Sequence, residues 1–160
     1  MDYYHEIKQK LINNEINRSV KEYSINRNDL NTYYNVGKMI IEAQGGETRA
    51  KYGEGLIKEY SRRLMQEVNK KYSYRTLSYM EKFYLFQKLQ PVVAKSLSWS
   101  HYTVLLSLKD NNEIMYYINI CEKEHISKRK LIERIKSKEY ERLPSKKTNP
   151  FNNSQIDRIE

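Results

Sequence analysis

The stretch Leu97-Ser98-Trp99-Ser100-His101-Tyr102, with the run that follows it to Leu143, decides the fold. Trp99, Tyr102, Leu105, Leu106 and Leu108 recur at three- and four-residue steps, which is the spacing of one buried helical face. Ser98 is placed to cap a helix over 99–108. Asp110 opens a second over 113–124, with Ile114, Met115, Tyr117, Ile118 and Cys121 inward. Ser127 caps a third, in which Leu131, Ile132 and Ile135 face a core while Lys128, Arg129, Arg134, Lys136 and Lys138 face water. On this reading Trp99 is the keystone of a small helical core, and the basic helix after it is the working surface. Pro144 stops that helix, and 144–160 reads as a flexible polar tail or the start of a linker.

Towards the N-terminus the helical period continues. Residues 3–25 carry an apolar stripe of Tyr4, Ile7, Leu11, Ile12, Ile16 and Val20 between charged faces. Asn26-Arg27-Asn28-Asp29 forms helix weakly, so a bend or short turn is expected before the period resumes from Leu30 to Ala43. Gly37 inside that second segment costs about 1 kcal/mol of helix propensity relative to Ala, which points to close packing against a neighbour. Gly45-Gly46 ends the segment, and a loop is expected over 47–53. A helix over 54–68 then leads through Asn69-Lys70-Lys71-Tyr72 into another that starts after Ser73 and runs through Phe86. Phe83 and Tyr84 are assigned to the core. No alternating strand pattern is present, so the expected fold class is all-α, with residues 1–143 forming the helical domain.

The chain has 29 Lys and Arg against 20 Asp and Glu, a formal net charge of +9. Placement is more telling than the total. Residues 1–57 hold 8 basic and 8 acidic side chains, whereas residues 127–147 hold 9 against 3. A charge excess concentrated in one segment is the footprint of an anionic partner, with nucleic acid first in order. The two helices flanking Asn69-Lys70-Lys71-Tyr72 have the outline of a helix-turn-helix, whose second helix begins at the groove. Tyr74, Arg75, Ser78 and Tyr79 would then form the exposed recognition face, with Lys70 and Lys71 near phosphates. There are 15 tyrosines, and tyrosine interleaved with Lys and Arg over 70–84 suits stacking on bases.

Catalytic signals are missing. Glu6-Ile7-Lys8 is the Glu-x-Lys triplet closest to a nuclease motif, but it sits on a helix with no strand to hold it. Gly45, Gly46, Gly53 and Gly55 fit neither nucleotide-binding fingerprint. His5, His101 and His125 are too scattered for a metal site, and no cofactor is expected. Ser98 and Ser100 beside His101 are better explained as capping residues, leaving His101 a structural or surface role, or a phosphate contact. Cys121 is the sole cysteine, which excludes an internal disulfide and a thiolate metal cluster; it reads as a buried, inert thiol. No segment reaches the roughly 20 apolar residues of a membrane span, so a soluble cytoplasmic protein without membrane contact is expected.

Several ordered strings complete the picture: Tyr33-Tyr34-Asn35-Val36-Gly37-Lys38-Met39-Ile40, Tyr52-Gly53-Glu54-Gly55-Leu56-Ile57 and the run Tyr72 to Tyr84. Leu97 to Tyr102, Ile126-Ser127-Lys128-Arg129-Lys130-Leu131 and Ser137-Lys138-Glu139-Tyr140-Glu141-Arg142-Leu143 follow. Together they resemble the N-terminal domain of the YhcG family over roughly residues 16–143. The resemblance implies a helical module that binds DNA and precedes a PD-(D/E)XK nuclease domain associated with mobile elements and restriction-like functions. The part from Trp99 to Leu131 is also similar to the helical region of ParB-type DNA-binding proteins. Asn69-Lys70-Lys71-Tyr72 stands where the family has a glycine-rich turn, and the chain ends where the nuclease domain is expected to start.

The resulting expectation is a non-enzymatic DNA-binding module, either the targeting domain of a nuclease system or a stand-alone binder. Its nucleic-acid contacts are assigned to Lys70, Lys71, Tyr74, Arg75, Ser78, Tyr79, Lys128, Arg129, Lys130 and Arg134. The alternative is a protein–protein module, such as a phage-type inhibitor of a host nuclease or CRISPR effector. A nuclease or nuclease complex is then the partner, and a homodimer is a further option.

Overall fold

A computed structural model describes residues 2–46, 54–92, 94 and 96–144; the loop expected over 47–53 and the tail 145–160 lie outside them. The described residues form six helices and no strand, so the chain is all-α. They are α1 (Tyr3–Ala43), α2 (Glu54–Glu67), α3 (Tyr74–Leu89), α4 (Trp99–Leu105), α5 (Asn111–Glu124) and α6 (Lys128–Lys136). The chain divides into two compact units, Met1–Tyr84 and Leu85–Glu160. Among the described residues no helix is long and apolar enough to cross a membrane.

In the first unit α1 is a single helix of 41 residues. The bend expected at Asn26–Asp29 does not occur. Asn26, Asp29 and Leu30 are already half-buried, and tertiary contact overrides the weak local propensity of this stretch. Asp2 caps the start, its carboxylate accepting from the His5 amide at 3.3 Å. At the other end Gly45 and Gly46 take φ values of +96° and +101°. Their amides donate to Glu42 and Ile41 carbonyls at 3.0 and 2.9 Å, closing a Schellman stop that L side chains would strain.

Only the second half of α1 is packed. Gly37, Ile40 and Ile41 are buried, together with Ile57 of α2 and Leu77, Met80, Phe83 and Tyr84 of α3. Gly37 is there because backbone meets backbone. A Cβ at this position would lie 2.7 Å from the Met80 carbonyl carbon, closer still to its oxygen, and 3.0 Å from the Tyr84 Cβ. Beside it the Tyr34 and Tyr84 rings pack edge to face at 5.1 Å.

The second unit has its centre at Leu97, Tyr102, Leu105, Tyr117, Cys121 and Leu131, all 1% exposed or less. Trp99 is not the keystone. It is the first residue of α4, directly after its cap, and is only half-buried, while Leu97 and Tyr102 on either side fill the centre. α4 also stops at Leu105 rather than 108, where the Ser107 hydroxyl bonds the Val104 carbonyl at 2.6 Å and competes with the helical pattern.

His101 is buried and structural. Its Nδ1 accepts from the Ser98 hydroxyl at 2.8 Å and the Ser98 amide at 3.2 Å, and its Nε2–H donates to the Ile126 carbonyl at 2.9 Å. That pattern fits the Nε2–H tautomer and ties the start of α4 to the α5–α6 connection. The caps expected at Ser98, Asp110 and Ser127 are all present. Burial pushes the Cys121 thiol up to about 11, so it is inert at neutral pH.

Candidate nucleic-acid interface

The candidate residues fall in both units. In the first, α2 and α3 are joined by residues 68–73. This connection is rigidly held. The Asn69 side chain accepts from the Lys71 amide at 2.9 Å, and the Ser61 hydroxyl, itself buried on α2, donates to the Tyr72 carbonyl at 3.1 Å. Ser73 then caps α3, its Oγ accepting from the Thr76 amide at 3.3 Å. The turn therefore presents Lys70 and Lys71 outward from a fixed backbone, without the glycines that the resemblance led one to expect.

On α3, Arg75, Tyr79 and Lys82 follow at four- and three-residue steps and share one stripe. The Arg75 guanidinium donates from Nε and Nη2 to the Tyr79 hydroxyl at 3.3 and 3.2 Å, and its centre lies 5.5 Å from the Tyr79 ring centroid. The Lys82 ammonium lies 5.5 Å from the same centroid. Two further cations repeat the pairing, Lys71 against Tyr72 at 5.3 Å and Lys58 against Tyr74 at 5.8 Å. Among the described residues, Lys70, Lys71, Arg75 and Lys82 form no ion pair with a carboxylate.

Tyr74 and Arg75 are exposed, as expected of a recognition face, whereas Ser78 and Tyr79 are half-buried. Tyr79 acts here as a platform that orients Arg75, since two of the five guanidinium donors are used on its hydroxyl and three remain for a ligand. Lys58, Tyr72 and Lys82 are not among the contacts assigned from the sequence. The signal was available for Lys82, which stands seven residues after Arg75 on the same helical stripe.

In the second unit Lys128, Arg129 and Lys130 occupy the exposed first turn of α6. Lys128 and Arg129 line an open groove of about 360 Å³ together with Ile132, Glu133 and Lys136. Glu133 partly offsets them, lying 3.9 Å from Arg129 and 3.7 Å from Lys130. Such exposed pairs are weak and yield readily to a stronger anion.

Arg134 does not belong to this face. Its guanidinium bonds Glu124 at 2.9 Å and Glu139 at 2.8 and 3.0 Å, with its side chain 21% exposed. The Tyr116 hydroxyl donates to the other Glu139 oxygen at 2.7 Å. Burial alone would raise Glu139; the bonds from Tyr116 and Arg134 outweigh it and hold the carboxyl below its ordinary value. The charge of Arg134 is thus committed to closing α5, α6 and the segment after α6 around one another. Among the described residues no group of three or more His, Cys, Asp or Glu is placed to hold a metal.

The family model of the DUF1016 N-terminal domain matches residues 6–142. The chain belongs to that family. A relative from Escherichia coli (strain K12), named "Putative nuclease YhcG", is 45% identical over 56 residues, which is 34% of this chain and 15% of the relative. No solved structure matches. The DUF1016 N-terminal match reaches into both units and spans every candidate residue named above.

Proposed function

We propose that this DUF1016 N-terminal domain is a non-catalytic DNA-binding module, in which α2, the Asn69–Tyr72 turn and α3 work as a helix-turn-helix. The observation that carries the proposal is the row of exposed cations seated against tyrosines at the start of α3. Lys70 and Lys71 contact phosphates. Arg75, fixed by Tyr79, presents its remaining donors to base edges or backbone, and Tyr74 offers an aromatic face. Fixing the guanidinium beforehand removes part of the ordering entropy that a long side chain loses on binding. The second unit carries a phosphate-contacting patch of its own, Lys128, Arg129 and Lys130.

The name of the E. coli relative supports the setting: a module of this kind would place a nuclease on its substrate. The DNA-binding step is independent of that setting. It is tested by electrophoretic shift of duplex and single-stranded probes, titrated against salt. Each phosphate contact contributes about −0.9 to the slope of log K against log salt. The triple variant Lys70→Glu/Lys71→Glu/Arg75→Glu is therefore expected to flatten the duplex slope by roughly 2–3 and to weaken binding at low salt. Undiminished duplex binding by that variant would overturn the site assignment.

A further inference from the structure

We infer that the first half of α1 is a docking surface for the same segment of a second copy of this chain, paired antiparallel. Every residue from Asp2 to Ile25 is exposed, a length of roughly 35 Å of helix standing clear of the packed part of its unit. From Ile12 to Tyr23 that length is apolar on the side that continues the core. Ile16, Tyr23, Leu30 and Gly37 step by sevens, as do Val20, Arg27, Tyr34 and Ile41, so these lines run along one face with only a slow drift. In the second half of α1 this face is covered by α2 and α3, with Leu30 and Tyr34 half-buried and Gly37 and Ile41 buried. In the first half, Ile12, Ile16, Val20 and Tyr23 remain 40, 56, 59 and 42% exposed. The docking surface is therefore the unfinished end of an interface the fold already uses.

Two properties select a second copy as the occupant. The order Ile12, Ile16, Val20, Tyr23 has steps of four, four and three, so it reads almost the same in either direction. Antiparallel pairing about an axis near Arg18 sets Ile12 against the partner's Tyr23 and Ile16 against the partner's Val20, the reciprocity that a two-fold interface requires. The segment is also electrically neutral within a strongly basic chain. Asp2, Glu6, Glu15 and Glu22 balance Lys8, Lys10, Arg18 and Lys21. A polyanion or an anionic membrane surface would select a Lys- and Arg-rich polar face, which this segment lacks. Tyr4, Ile7 and Leu11 do not continue this stripe, contrary to the expectation from spacing; at about 100° per residue they fall on a different side of the helix and serve as an internal control.

The test is the mass of the full chain in solution, by sedimentation or light scattering over about 1–200 μM, a range that brackets a micromolar association. A concentration-dependent dimer is expected. Ile16→Asp with Val20→Asp is expected to return it to monomer with the far-ultraviolet helical signal of the packed core retained, because both side chains lie outside that core. Ile7→Asp with Leu11→Asp is expected to leave the dimer intact. A monomeric wild type at 200 μM, or a dimer indifferent to the substitutions at 16 and 20, would overturn the inference. Mass is measured without nucleic acid, so this result and the salt titration of DNA binding succeed or fail separately.

Discussion

Replacing Gly37 by alanine pits two calculable effects against each other. Alanine gains about 1 kcal/mol of helix propensity over glycine in a helix interior. Against this, the added Cβ meets the Met80 carbonyl and lies 3.0 Å from the Tyr84 Cβ. The main obstacle is backbone, so no rotamer change relieves it and α1 and α3 must separate. Overpacking of this kind costs typically 1–3 kcal/mol, and a backbone contact places it at the upper end. The net expectation is a loss of about 2 kcal/mol, or roughly 4–8 °C of melting temperature for a chain of this length. Circular dichroism at 222 nm during thermal or urea unfolding of the full chain reads it directly. Gly55→Ala supplies the opposite sign, because nothing lies within 4 Å of the added carbon and the site is exposed. That variant should match or exceed the wild type by up to about 1 kcal/mol. A Gly37→Ala protein that melts at or above the wild type would refute the close-packing argument.

Two further perturbations address the second unit and the candidate interface. Glu139 has its carboxyl held below the ordinary 4.5 in the folded chain. Its stabilising contribution is therefore complete above that value and is lost as pH falls through the lower folded one. Trp99 fluorescence during unfolding, followed from pH 6 to pH 3, should show a steeper acid loss in the wild type than in Glu139→Gln; parallel curves would remove Glu139 from the account. Glu139→Gln should also cost about 2 kcal/mol at neutral pH, the range for a hydrogen bond to a charged group. Tyr79→Phe removes the hydroxyl that accepts both Arg75 bonds and leaves the ring. It is expected to weaken duplex binding roughly threefold to tenfold with no change in salt slope, since no charge is lost. A changed slope, or unchanged affinity, would show that Tyr79 does not position Arg75.

Much of the architecture was legible locally. Helix caps at Ser98, Asp110 and Ser127 depend on a side chain and the amides two or three residues on, and the period of apolar residues located most of the core. Gly37 could be recognised because glycine is costly inside a helix unless a neighbour needs the space. Other features depend on contacts that no local window contains. The continuity of α1 through Asn26–Asp29 comes from packing that starts there. Trp99 was overrated because size alone does not place a ring at the centre, and its position on the first turn of α4 leaves it at the margin. Arg134 looked like its basic neighbours on α6, yet its partners are Glu124 on the preceding helix and Glu139 beyond the end of its own. The same holds for the candidate interface. Lys70, Lys71 and Arg75 were visible as charge beside a turn, but the use of Tyr79 as a platform emerged only from the fold.

The placement of cations on α6 has an energetic consequence. Lys128, Arg129 and Lys130 crowd its first turn, where unpaired amides already present the positive end of the helix dipole, so each charge there opposes the helix that carries it. The cap at Ser127 and the nearby Glu133 relieve only part of that opposition. Mobile anions will gather at this end and relax the repulsion. Salt should consequently firm the second unit under the same conditions in which it loosens any grip on a polyanion.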